Sequence, residues 1–138
     1  MKPVLLDSSV IVALLDKRER FHERCVRVLD ELEQPIATCE AVISESCYLL
    51  RMIPNASDRI LANVEEGHFQ IPFQLTRSAA SVHAILSKYR DLPAGFADAC
   101  LVHMADELDT GDILTLDRDF AHYRWRRTRS FRMLIPLE

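Results

Sequence analysis

Short runs of apolar residues alternate along the chain with longer stretches in which apolar residues recur every three or four positions. The short runs predict buried strands, and the longer stretches predict amphipathic helices. We predict strands at 4–6, 35–38, 69–75, 113–116 and 133–135, and helices at 10–15, 19–33, 40–53, 57–66, 76–89 and 96–108. Pro72 lies inside the third predicted strand, which is therefore an edge strand or a broken one. The segment 91–95 is predicted to be a loop.

The alternation of strands and helices is typical of a parallel sheet flanked by helices. The predicted fold class is therefore α/β, a three-layer α/β/α sandwich with a short, mainly parallel sheet. The 138 residues have the length of one domain, so a single domain is predicted over 1–138. No apolar run approaches the roughly 20 residues of a membrane helix, and residues 1–7 lack the pattern of a signal peptide. We therefore expect a cytoplasmic protein without membrane contact.

Two acidic residues follow predicted strands. Asp7 comes directly after the first strand, and Asp117 comes directly after the strand at 113–116. The carboxyl ends of parallel strands meet at one edge of a sheet, where the reactive sites of α/β proteins lie. Each residue also has an ordinary interpretation, since Asp7 is a good helix cap and Asp117 and Asp119 are good turn formers.

Two further acids lie in apolar surroundings. Asp98 is the one charged residue between 94 and 102, and an unpaired carboxylate there is costly. Glu45 lies in the otherwise uncharged helical segment 41–50, although most helical glutamates are simply solvated. Carboxylates crowded together repel each other unless a cation offsets their charge. Oxygen ligands without paired Cys or His favour Mg²⁺ or Mn²⁺, which can activate water against a phosphodiester.

The carboxyl-terminal segment has the opposite charge. Residues 118–138 carry six arginines against two acids, whereas the rest of the chain is strongly acidic. Aromatic residues lie between the arginines, a pattern that suits phosphate contact and base stacking. The candidate RNA-binding residues are Arg118, Arg124, Arg126 and Arg127. A solvated surface with intramolecular ion pairs is the alternative interpretation.

Taken together, these segments resemble the PIN domain, in particular the toxin ribonucleases of the VapC type. The resemblance is based on the strand ending in Asp7-Ser8-Ser9, on Glu45 in the third helix, on Ala97-Asp98-Ala99 and on Thr115-Leu116-Asp117-Arg118-Asp119-Phe120. It implies an endoribonuclease that depends on Mg²⁺ or Mn²⁺ and acts as the toxin of a type II toxin–antitoxin pair. It also implies RNA as substrate, a homodimer and a cognate antitoxin protein as partner.

The resemblance assigns roles to individual residues. It implies that the catalytic acids are Asp7, Glu45, Asp98 and Asp117. It implies metal ligation by Asp7, Asp98, Asp117 and Asp119, and support from the hydroxyls of Ser9 and Thr115. Whether Asp117 or Asp119 is the fourth acid, and whether one metal or two act, stays open at this point.

The alternatives to a nuclease are a phosphatase and a binding module without catalytic activity. A phosphatase of the haloacid dehalogenase type would need a second aspartate two residues after Asp7, where this chain has Ser9, and a catalytic lysine, for which Lys88 is the one candidate. A PIN-like module that binds RNA or protein without cleaving is the more serious alternative. The intact set of acids argues against it.

Overall fold

A parallel sheet of five strands forms the centre of the computed structural model, which describes residues 1–92 and 94–138. The strands in spatial order are β3 (Phe69–Gln70), β2 (Ile36–Ala37), β1 (Val4–Leu6), β4 (Asp112–Leu114) and β7 (Arg132–Met133). Every neighbouring pair in this sheet is parallel. The remaining two strands, β5 (Arg124–Trp125) and β6 (Arg129–Ser130), form an antiparallel hairpin beside it.

Helices cover both faces of the sheet. Val4, Leu5 and Leu6 are all fully buried, and successive residues of a strand point to opposite faces, so neither face of β1 meets solvent. The helices within the described residues are α1 (Ser8–Leu15), α2 (His22–Glu31), α3 (Glu40–Leu49), α4 (Ala56–Glu65), α5 (Leu75–Lys88) and α6 (Phe96–Leu108), with a short 3-10 helix at Arg118–Ala121. The predicted α/β fold class is confirmed.

The strand order creates a crevice between β1 and β4. The chain leaves β1 toward β2 and β3 on one side of the sheet and later adds β4 and β7 on the other side. In open α/β sheets such a reversal opens a crevice beyond the carboxyl ends of the two strands, and ligands bind there. The backbone N–H of Asp7 donates to the carbonyl of Leu114 at 3.0 Å, which ties the two strand ends together. Asp7 and the residues after Leu114 therefore line this crevice.

Every predicted strand and helix overlaps an observed one, and the differences have local causes. Helix α3 ends at Leu49 rather than at 53, because the buried Leu50 leaves helical geometry. The β5–β6 hairpin was not predicted, since its tip has Arg126 and Arg127 in the left-handed backbone region, where glycine or asparagine is the usual sequence signal. Part of the predicted loop at 91–95, Pro93, lies outside the described residues.

The four cysteines are free, and three of them are buried. None of the helices in the described part of the chain is long and apolar enough to cross a bilayer.

Candidate active site

Asp7 is the most deeply buried acid of the site. It directly follows β1 and caps α1, where its Oδ1 accepts a hydrogen bond from the backbone N–H of Ser8 at 2.8 Å. Its Oδ2 accepts from the hydroxyls of Thr115 at 2.7 Å and Ser9 at 3.0 Å. The side chain is 4% exposed, and burial raises its pKa above the usual value despite these three donors. One oxygen of Asp7 therefore caps α1, while the other accepts the hydrogen bonds from Thr115 and Ser9.

Two hydroxyls connect Asp7 to the segment that follows β4. The Thr115 hydroxyl, which donates to Asp7, accepts from the backbone N–H of Asp117 at 3.0 Å. The Ser9 hydroxyl, which also donates to Asp7, accepts from the backbone N–H of Leu116 at 2.9 Å. The strand ends and the two hydroxyls thus hold the backbone of Asp117 at a fixed place relative to the Asp7 carboxylate.

Asp117 begins the short 3-10 helix. Its Oδ1 accepts from the backbone N–H of Asp119 at 2.9 Å, so Asp117 is also a cap. The charge of Asp117 raises the pKa of both Asp7 and Asp98. Asp119 is half-buried one turn later, and its charge acts on Tyr123.

Asp98 occupies the first turn of α6 and faces the other acids. Its Oδ2 accepts from the backbone N–H of Gly95 at 3.2 Å. Burial, followed by the charges of Asp7, Asp117 and Glu45, raises the pKa of Asp98 to about 6. Carboxylates at functional sites often have pKa values raised by burial and by neighbouring charges, as Asp98 does.

Glu45 reaches the site from α3. It is exposed, and its Oε1 accepts a short hydrogen bond from the hydroxyl of Ser8, the residue after Asp7. Its charge acts on Asp98. The fold therefore brings the four predicted acids Asp7, Glu45, Asp98 and Asp117 to the same edge of the sheet, from four different segments of the chain.

The donor set fits a hard divalent cation. It consists of carboxylate oxygens supported by hydroxyls, which are the ligands that Mg²⁺ and Mn²⁺ prefer. Burial, and then the charges of neighbouring acids, raise the pKa of Asp7 and Asp98, so their ionised forms are poorly compensated and a cation would offset them. Within residues 1–92 and 94–138, no three Asp, Glu, His or Cys side chains lie close enough to hold one ion between them as they stand. The carboxylate side chains would therefore have to rotate before three of them could coordinate one cation together.

Tyr123 also belongs to this site, although the sequence did not identify it as a site residue. Its side chain is fully buried, and the charges of Asp98, Asp119 and Asp117 add to burial in raising the pKa of its phenol. Tyr123 is one of the aromatic residues between the arginines of the basic segment, a pattern that left both base stacking and an ordinary structural role open. The fold buries it behind the acids.

The candidate RNA-binding arginines are spread over both ends of the molecule. Arg126 pairs with Asp109 at 2.8 Å, and Asp109 also pairs at 2.6 Å with Lys2, which precedes β1. The hairpin tip with Arg126 and Arg127 therefore lies at the amino edge of the sheet, at the opposite end of α6 from Asp98. A helix of 13 residues, as α6 is, spans about 20 Å.

The other two candidates lie closer to the acids. Arg118 is exposed and directly follows Asp117. Arg124 donates to the backbone carbonyls of Ala121 and Tyr123, each at 2.9 Å. RNA binding by any of the four arginines stays a prediction.

Comparison with known proteins agrees with this architecture. A family model described as the PIN domain matches residues 4–126. Ribonuclease VapC26 of Mycobacterium tuberculosis is 28% identical over 117 residues, which are 83% of this chain and 87% of that protein. The crystal structure of M. tuberculosis VapC20, a toxin that cleaves the sarcin–ricin loop, has a TM-score of 0.81 at 17% identity and covers 91% of this chain and 98% of its own. Because the family match includes all four acids and the strands that position them, this chain belongs to the PIN domain family.

Proposed function

We propose that this protein is a metal-dependent endoribonuclease of the VapC type that hydrolyses RNA phosphodiester bonds as the toxin of a toxin–antitoxin pair. One observation carries the proposal: carboxylates from four separate segments converge at the crevice between β1 and β4, and two of them have raised pKa values. The likeness to a protein named as a ribonuclease, at 28% identity over most of both chains, supports it.

We assign metal binding to Asp7, Asp98 and Asp117, with Mg²⁺ or Mn²⁺ as the ion. Asp117 is favoured over Asp119 as the fourth acid, because its charge acts on both Asp7 and Asp98 whereas that of Asp119 acts on Tyr123. When bound, the ion would lower the pKa of a water molecule and polarise a phosphate oxygen. Asp119 would then assist as a second ligand on the same segment.

The chain's own residues have distinct tasks in this proposal. Thr115 and Ser9 hold one oxygen of Asp7 in place, so this ligand is preorganised. Glu45 is the exposed acid of the set, and we assign it the positioning of the attacking water. Because Glu45 is exposed, we propose that an RNA phosphate approaches the site from this side.

The partners are further parts of the proposal. Tyr48 and Met52, near the end of α3, are 64% and 82% exposed, which makes this end a candidate face for the homodimer that the family relationship favours. A cognate antitoxin protein is proposed on the same relationship. The mass of the purified chain by light scattering would test the dimer, and a single-chain mass would contradict it.

Cleavage of a structured RNA in the presence of Mn²⁺ tests the proposed activity. We expect the wild type to cleave, EDTA to stop it, and Asp98→Asn to reduce the rate by at least a factor of about 100, because Asn cannot supply a charged ligand. Asp58→Asn is the matched control, since Asp58 is an exposed aspartate in the first turn of α4. RNA binding without cleavage by the wild type would instead favour a non-catalytic PIN-like module.

A further inference from the structure

Tyr123 carries a buried hydroxyl with no hydrogen-bond partner among the described residues. The side chain is 0% exposed, and its Oη is one of few buried side-chain atoms in this condition. Leaving a buried hydroxyl unpaired destabilises the folded state, and phenylalanine would fill the same space without that penalty. A buried hydroxyl without a hydrogen-bond partner needs an explanation, and a functional role is one.

The tyrosine ring is held firmly in place. It makes edge-to-face contacts with Phe120 and Tyr89, each with ring centroids 5.0 Å apart. Its backbone N–H donates to the carbonyl of Asp119 at 3.3 Å, which ties it to the 3-10 helix behind Asp117. The neighbouring Tyr89 differs in one respect, because its hydroxyl accepts a hydrogen bond from the backbone N–H of Arg124 at 2.9 Å.

The Tyr123 hydroxyl is buried close enough to the acids of the proposed metal site for their charges to act on it. A tyrosine phenol carries its proton at neutral pH, so it can act as a donor here, and burial with the charges of Asp98, Asp119 and Asp117 raises its pKa further. Asp98 interacts with it most strongly among the acids, although the contact falls short of an ordinary hydrogen bond. Asp98 is meanwhile turned to the backbone N–H of Gly95 at 3.2 Å, a long hydrogen bond.

We propose that Tyr123 is a positioning residue: its hydroxyl donates to the Asp98 carboxylate and orients that carboxylate as a metal ligand. The proposal rests on the proposed function, since it assigns a task within the same site. Hydrogen bonds from outer residues to ligating carboxylates fix the orientation of the ligand, and losing one typically weakens metal binding by a factor of about 10–100. Tyr123 itself contacts neither the metal nor the RNA in this proposal.

Calorimetric titration of the RNA-free protein with Mn²⁺ tests this role. We expect Tyr123→Phe to weaken Mn²⁺ binding by a factor of about 10 and to lower kcat while the KM for RNA stays the same. Its melting temperature in EDTA should equal or exceed that of the wild type, because the variant removes an unpaired buried hydroxyl. Tyr89→Phe is the matched control, since it removes the hydroxyl next to Tyr123 in the same aromatic cluster and should leave Mn²⁺ affinity unchanged.

A double-mutant cycle separates an action through Asp98 from a general disturbance of the site. In an Asp98→Asn background, Tyr123→Phe should cause no further loss of Mn²⁺ affinity. Wild-type Mn²⁺ affinity in Tyr123→Phe, or an equal loss in both backgrounds, would overturn the positioning role while leaving the proposed nuclease intact. A wild-type chain that neither binds Mn²⁺ nor cleaves RNA would overturn both.

Discussion

Replacing Asp98 by Asn should stabilise the metal-free protein although it inactivates the enzyme. The pKa of Asp98 is raised from 3.8 to about 6, chiefly by burial and then by the charges of Asp7, Asp117 and Glu45. Ionised Asp98 therefore destabilises the folded state at neutral pH by about 1–3 kcal/mol, because the full value of about 1.4 kcal/mol per pKa unit is reduced by solvent screening of this partly exposed side chain. Asn has no charge to desolvate, and its side-chain oxygen can still accept from the backbone N–H of Gly95.

The sign of the pH dependence follows from the direction of the shift. Below pH 3.8 the carboxyl is protonated in both the folded and the unfolded state, so Asp98 has little effect on stability. As the pH rises toward about 6, the unfolded chain releases this proton while the folded chain retains it, and the wild type loses stability. The advantage of Asp98→Asn should therefore grow over this interval and stay constant above it.

Thermal unfolding in EDTA at pH 4 and pH 8 measures this effect. At pH 8 we expect Asp98→Asn to melt roughly 3–10 °C above the wild type, because about 1–3 kcal/mol corresponds to a few degrees per kcal/mol in a chain of this size. At pH 4 the difference should fall to a small fraction of its value at pH 8. Mn²⁺ should raise the melting temperature of the wild type more than that of the variant, since a ligand stabilises the state that binds it. A variant that is less stable than the wild type at pH 8, or equally stabilised at both pH values, would refute the reasoning.

Three further predictions concern other parts of the molecule. Thr115→Val should destabilise the fold by about 1–3 kcal/mol in urea unfolding and reduce cleavage, because the buried hydroxyl both donates to Asp7 and accepts a backbone N–H; Thr110→Val is a control outside the site. Gly111→Ala should cost about 1–3 kcal/mol by the same measurement, because a Cβ there would lie 2.2 Å from Nε1 of Trp125. Arg127→Glu should weaken RNA binding in a filter assay and reduce its salt dependence, and unchanged binding would show that the hairpin tip does not contact RNA.

The sequence predicted the edge of the sheet at which the site lies, because this depends on order along the chain. Asp7 and Asp117 each follow an apolar strand, and β1 and β4 are neighbours in the sheet. The hydrogen bonds from Thr115 and Ser9 to Asp7 could be anticipated only through family resemblance, since the chain separates Asp7 and Thr115 by more than a hundred residues. The environment of Tyr123 could not be predicted, because an aromatic residue between arginines has the same local pattern whether it stacks on bases or packs behind a carboxylate.

The arginine-rich segment is basic, as the sequence indicates, but its charge does not by itself locate an RNA-binding surface. Counting charged residues along the sequence does not reveal which of them form ion pairs in the fold. Arg126 pairs with Asp109, and Arg132 pairs with Asp112 through two hydrogen bonds of 2.9 Å. These pairs neutralise part of the basic charge and attach the segment to the amino edge of the sheet. From Asp98 to Asp109 the helix rises about 16 Å, so an RNA that reaches both the acids and the hairpin tip must extend along α6. If the arginines serve the proposed reaction, their effect should therefore be larger on a long structured RNA than on a short oligonucleotide that fills the crevice alone.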